Sequence, residues 1–205
     1  MNRFFFLIVI SLCFKISAQS NWKIYKQLSC SKKIWVISHP FKAKKALRIS
    51  KEAKRVADSM KLSPLLDKDP SGGQVDAFRH AYWMARLNEE IGKNAARSLG
   101  KAHEKENYWT FKKQKLEDGI VPDEVSSIMD LFNNEIGLQL SLTGKKKSKR
   151  GLIYKVINAI HQGRLKVIKK DKNGNFLTCS GNKIKPESLL GKWKNNKCLV
   201  SSKTR

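Results

Sequence analysis

Asp76 and His80 stand four residues apart in Asp-Ala-Phe-Arg-His-Ala-Tyr-Trp, residues 76–83, a spacing that sets a carboxylate and an imidazole on one face of a helix. Two further polar clusters follow, Ala102-His103-Glu104 and Met129-Asp130-Leu131-Phe132-Asn133-Asn134. Three helices would then each send oxygen or nitrogen groups to one point. Asp76, His80, His103, Asp130 and Asn134 form a mixed shell that suits zinc, manganese or a similar divalent ion, and a water held there could hydrolyse esters. Without a metal, the same groups offer His80 as general base, Asp76 as its orienter, and asparagine or Arg79 as a stabiliser of oxyanion charge. The competing reading is a polar core network that only fixes helix packing, and for a lone histidine on an apolar face a satisfied core residue is the more common outcome.

The elements that would position these groups are legible from spacing. Apolar residues from Phe41 to Met60 recur at helical intervals among lysines and predict a basic amphipathic helix. Pro64 and the Asp69-Pro70-Ser71-Gly72-Gly73 cluster break the chain, and a helix should start near Gln74 and end by Gly92. On it, Asp76 and His80 fall in the apolar sector with Ala77, Trp83, Met84, Leu87 and Ile91, opposite Arg79, Arg86, Glu89 and Glu90. A buried carboxylate needs a partner, an ion or a neighbouring helix. The next helix, from Asn94 to about Asn107, puts His103 on the face of Ala95, Ala96, Leu99 and Ala102, with Glu104 projecting the other way if the helix is regular. A loop around Asp118-Gly119 and then Pro122 lead to a helix over about Asp123 to Leu142, ended by Gly144. Its Val125, Ile128, Met129, Phe132, Ile136 and Leu140 should face the core, while Asp130, Asn134, Gly137 and Ser141 make a narrow polar stripe with Asn133 at its border. Gly137 would let a helix or ligand come close. A last helix around Leu152 to Ile160 stops at Gly163, and the tail reads as a hairpin around Asn173-Gly174, with Cys198-Leu199-Val200 as a further strand.

Composition sets the outer limits. Asn2-Arg3, an apolar run from Phe4 to Phe14 and then Ser17-Ala18 have the layout of a secretory signal peptide, cleaved after Ala18. The run is far short of the ~20 residues of a spanning helix. Export, to the periplasm or outside the cell, is the expected location. The net charge is +25, unevenly spread: residues 19–62 carry 12 Lys/Arg against 2 Asp/Glu, residues 63–144 carry 10 against 13, and residues 145–205 carry 18 against 2. Basic flanks around an acidic centre fit an anionic polymer, a lipid surface or nucleic acid as partner, although lysine can also do no more than cover a surface. The run Lys145 to Arg150 reads as a solvated linker. Cys30, Cys179 and Cys198 follow the leader; Cys179 and Cys198 could close a small loop, and the absence of a Cys-x-x-Cys pair argues against a zinc ribbon.

Several patterns fail. Asp171-Lys172-Asn173-Gly174-Asn175 resembles the start of a calcium loop, but its glycine is two positions early and no carboxylate closes it. Gly-x-Ser-x-Gly, the Walker loop and His-Glu-x-x-His are missing, and no nucleic-acid reading motif is evident. The ordered series Gly73 to Trp83, Ala102-His103-Glu104 and Met129 to Gly137 does resemble a bacterial family of exported domains of unknown function. That resemblance covers the middle third of the chain. It implies a mostly helical domain with the residues named above as its signature, Glu104 included, and brings no activity, metal or substrate.

The expectation is a mainly α protein with a small C-terminal β-hairpin element: a signal peptide over 1–18, a helical domain over 19–163 and a small basic β element over 164–205. The site would comprise Asp76, Arg79, His80, His103, Glu104, Asp130, Asn133 and Asn134. A metal-dependent hydrolase of a phosphate-bearing or anionic substrate is the leading reading. Its rivals are a non-catalytic basic envelope protein that binds anionic lipid or polymer, and a nuclease or toxin-like effector.

Overall fold

The computed structural model describes residues 22–116, 120–141 and 148–204. The proposed leader, Asp118-Gly119, the expected helix end at Leu142 to Gly144 and Lys145 to Lys147 lie outside the described residues. The chain is mainly α, with a small two-stranded antiparallel sheet near its C-terminus. A short helix α1 over 22–27 precedes α2 (Cys30–Ser38), α3 (Pro40–Met60), α4 (Gln74–Ile91), α5 (Lys93–Lys112), α6 (Glu124–Leu140) and α7 (Lys149–His161). Strands β1 (Lys166–Ile168) and β2 (Leu199–Ser201) follow. Among the described residues no helix is long and apolar enough to cross a membrane.

Local chemistry sets the breaks. Pro40 opens α3 at a position that needs no N–H donor, and its ring keeps His39 out of the helical region, which ends α2. At the start of α6, Asp123 accepts from the Ser126 backbone while the Ser126 side chain accepts from the Asp123 N–H, a reciprocal cap.

Helix α4 is the centre of the molecule, packing against α3, α5, α6 and α7 and most extensively against α6. Fourteen of its residues are buried, Asp76 and His80 among them. It meets α6 closely because Gly137 has no side chain: a Cβ there would lie 2.3 Å from the Ala81 carbonyl oxygen. On the far side, Glu52 of α3 is buried and accepts from Tyr82, Arg86 and Lys149, tying α3, α4 and α7 together.

The C-terminal element pairs differently from the simple hairpin expected. The Asn173-Gly174 turn forms, held by Asp171 Oδ1 accepting from the backbone N–H groups of Asn173 and Asn175, but it leaves only an isolated bridge between Lys170 and Phe176. Strand β1 instead pairs with β2, Val167 opposite Val200. A disulfide between Cys179 and Cys198 holds β2 in place, and the Ile168 N–H donates to the Gly72 carbonyl, which ties the sheet to the start of α4. Cys30 is free and exposed.

Candidate functional site

Three of the expected residues converge. Asp76 and His80 from α4 and Asp130 from α6 each offer a ligand atom within 4.8 Å of the others, and all three are buried. Asp76 is fixed from two sides: Oδ2 accepts from the Gly72 N–H at 2.7 Å and Oδ1 from Arg79 Nη2 at 2.7 Å. Gly72 has φ +84°, and a Cβ would come within 2.9 Å of Ile168, so this contact depends on glycine.

The state of His80 follows from its neighbours. Burial, followed by the charge of Arg79, pushes its pKa well below the ordinary value, so the ring is neutral. Nδ1 lies 3.2 Å from Asn134 Oδ1, which favours the tautomer with hydrogen on Nδ1 and leaves Nε2 as an acceptor that Arg79 Nη2 approaches at 3.4 Å. Nε2 also faces Asp76 Oδ1 at 3.6 Å and Asp130 Oδ1 at 3.4 Å. A hydrogen bond from an N–H to a carboxylate would be nearer 2.8 Å. Ligand atoms ~2.1 Å from a tetrahedral ion lie roughly 3.4 Å apart, so this spacing suits a cation between acceptors better than a direct bond. Asn134 thus fixes the orientation of the His80 ring. Its Nδ2 is buried without a hydrogen-bond partner among the described residues.

Arg79 sits at the edge of this cluster, its Nη2 also 3.4 Å from His80 Nε2. His103 stacks on the His80 ring with centroids 6.1 Å apart and meets Trp83 edge-on at 5.6 Å. It is therefore adjacent to the buried group and is not one of the three converging residues. Its Nδ1 lies 3.7 Å from Glu106 Oε2, and Lys32 pairs with the same carboxylate. Burial raises the Glu106 pKa, but contact with His103 and Lys32 outweighs it and holds the group at about 2.

Two residues fall elsewhere than periodicity placed them. Glu104 is buried rather than outward, because α5 turns its small side, Ala96 and Gly100, inward and Glu104 continues that line; Oε2 accepts from Asn107. Asn133 is buried too, but its amide is committed to β1: Oδ1 accepts from the Lys166 N–H and Nδ2 donates to the Lys166 carbonyl. On α6 the phase is rotated. Ile128 and Phe132 are exposed at 51% and 39%, while Asp130, Asn133, Asn134 and Gly137 face inward.

An apolar cavity of about 700 Å³ opens beside the cluster, with Arg79, His80 and His103 in its wall. It has no direct signal in the sequence, since its walls come from α1 to α5. The alanines spaced along α3, which leave room where larger side chains would fill it, are the only hint.

Residues 33–164 match a domain of unknown function (DUF6973). No curated protein and no solved structure is similar enough to match. The matched span contains Asp76, His80, His103 and Asp130, and it ends before β1. Through this helical domain, which makes up more than half of its length, the chain belongs to the DUF6973 family.

Proposed function

We propose that the protein is an exported, metal-dependent hydrolase of an anionic or phosphate-bearing ester. The observation that carries this reading is His80 Nε2 turned toward two buried carboxylates at metal-ligand spacing. Asp76, His80 and Asp130 would be the ligands, with zinc or manganese suited to the donor set. A divalent ion bound there supplies an acidified water and a Lewis acid. Arg79, in both the cluster and the cavity wall, would meet negative charge as it develops on the substrate. His103, also in the cavity wall, would pass a proton to a leaving alkoxide. Export is supported by the leader-like N-terminus and by the disulfide, which belongs in an oxidising compartment.

A metal-free second reading has its own support: Arg79 already donates to Asp76 and approaches His80 Nε2, so guanidinium could serve as the cation beside a histidine base. Hydrolysis of chromogenic carboxylic and phosphate esters, with and without chelator, separates the two. Activity that chelator abolishes and zinc or manganese restores supports the metal centre; activity indifferent to chelator supports Arg79. Ester turnover unchanged in Asp130→Asn would contradict the metal reading.

A further inference from the structure

The cavity beside His80 is walled by aliphatic residues from four helices and the turn after α1, among them Ile24, Leu28, Val36, Ala43, Leu47 and Leu99. Three polar groups of its wall are already engaged. Trp35 Nε1 donates to the Ala95 carbonyl and to Ser98, Trp83 Nε1 donates to Ser50, and Ser50 donates to the Ala46 carbonyl. With these donors taken and aliphatic side chains around them, this lining favours a hydrocarbon chain over a sugar, base or peptide.

The wall also carries charged groups. Lys44 and Lys54 line the cavity, are exposed, and have no acidic partner among the described residues. Arg79 and His80 mark another part of the wall. The helices α2 and α3 also expose Ile34, Ile37 and Phe41, the last at 95%, among Lys33, Lys42 and Lys45. Apolar side chains ringed by lysine are what a surface needs to meet an anionic bilayer.

We infer that this cavity takes one acyl chain of an anionic phospholipid, with the carboxylic ester at Arg79 and His80 and the phosphate outside among the lysines. The chemistry of this step rests on the hydrolytic reading above. Hydrolysis adds water across the ester: the water oxygen bonds to the carbonyl carbon and the carbon–alkoxide bond breaks. The alkoxide leaves with one proton of the water, and the fatty acid departs as carboxylate with release of the other.

The test is titration of the full chain with monoacyl phosphatidylglycerols of increasing chain length, each below its micelle-forming concentration, alongside assay for released fatty acid. Affinity should rise about threefold to fourfold per added methylene until the cavity is filled, the factor that ~0.8 kcal/mol per buried CH₂ converts to. Leu47→Trp and Leu28→Trp fill different parts of the cavity and should each weaken the long-chain ligand about tenfold or more, provided circular dichroism shows a native fold. Affinity independent of chain length, or unchanged in both folded variants, would overturn the assignment. Chain-length-dependent binding without release of fatty acid supports it while removing the hydrolytic reading. Hydrolysis of short esters with no chain-length dependence removes it and leaves the hydrolase standing.

Discussion

Glu52 shows how one side chain can hold three helices and make stability depend on pH. Burial alone would raise its carboxyl pKa, but hydrogen bonds from Lys149, Tyr82 and Arg86 outweigh burial and hold it at about 2. The folded value lies below the ordinary one, so the native state binds fewer protons than the unfolded chain in this range. Its contribution is therefore complete above about pH 4.5 and is lost as pH falls toward 2. Glu52→Gln should unfold more easily at pH 7 by about 1–3 kcal/mol, since it removes the charge that Arg86, Tyr82 and Lys149 donate to, although Arg86 keeps Glu89. In denaturant titrations that gap should close as the buffer is acidified from pH 4.5; a gap that does not change would rule out this role. Nothing in the sequence marks Glu52, because an acid one turn from Ile49 and Val56 looks like any solvated position of a lysine-rich helix. The pair Asp76 and His80 was legible because its spacing alone places both groups on a face otherwise apolar.

The site depends on how near α6 comes to α4, and that distance depends on Gly137. An alanine there would press its Cβ against the Ala81 backbone, which cannot turn away. Gly137→Ala should therefore cost about 1–3 kcal/mol and also weaken any function that needs Asp130 beside His80. Thermal unfolding and ester hydrolysis measured together check this; a variant with wild-type values in both would contradict the packing described. Asn133→Ala should behave differently. It frees both backbone groups of Lys166 and should lower stability by about 1–3 kcal/mol, with activity kept once the folded fraction is accounted for. The positions of α3 to α7 were legible from periodicity and from proline and glycine breaks. The phase of α6 was not, because Ile128 and Phe132 are apolar yet exposed, so hydrophobicity pointed to a face that the close approach at Gly137 overrides. Pairing of β1 with β2 depends on the disulfide and on the contact with Gly72, both long-range, whereas the Asn-Gly turn is a local signal.

At the scale of the whole molecule, the basic flanks and the acidic middle are partly matched to each other. Lys170 pairs with Asp69, Lys197 with Asp123 and Lys32 with Glu106, while Lys149 of one flank pairs with Glu52 of the other. Some of the charge that suggested an external polyanion is therefore internal, and composition cannot separate the two. Much remains exposed, so binding to anionic vesicles should be strong at low ionic strength and fall steeply as salt is raised. Sedimentation with vesicles across a salt series checks this, and neutral vesicles should carry far less protein. Digestion of DNA and RNA with and without chelator addresses the nuclease alternative, for which intact nucleic acid is the expected result. Elemental analysis of the purified protein decides whether Asp76, His80 and Asp130 hold a cation. A single divalent ion per chain is predicted, retained in Asn133→Ala and lost in His80→Ala and Asp130→Asn. Wild-type protein that carries none, and takes up neither zinc nor manganese when dialysed against them, would contradict it.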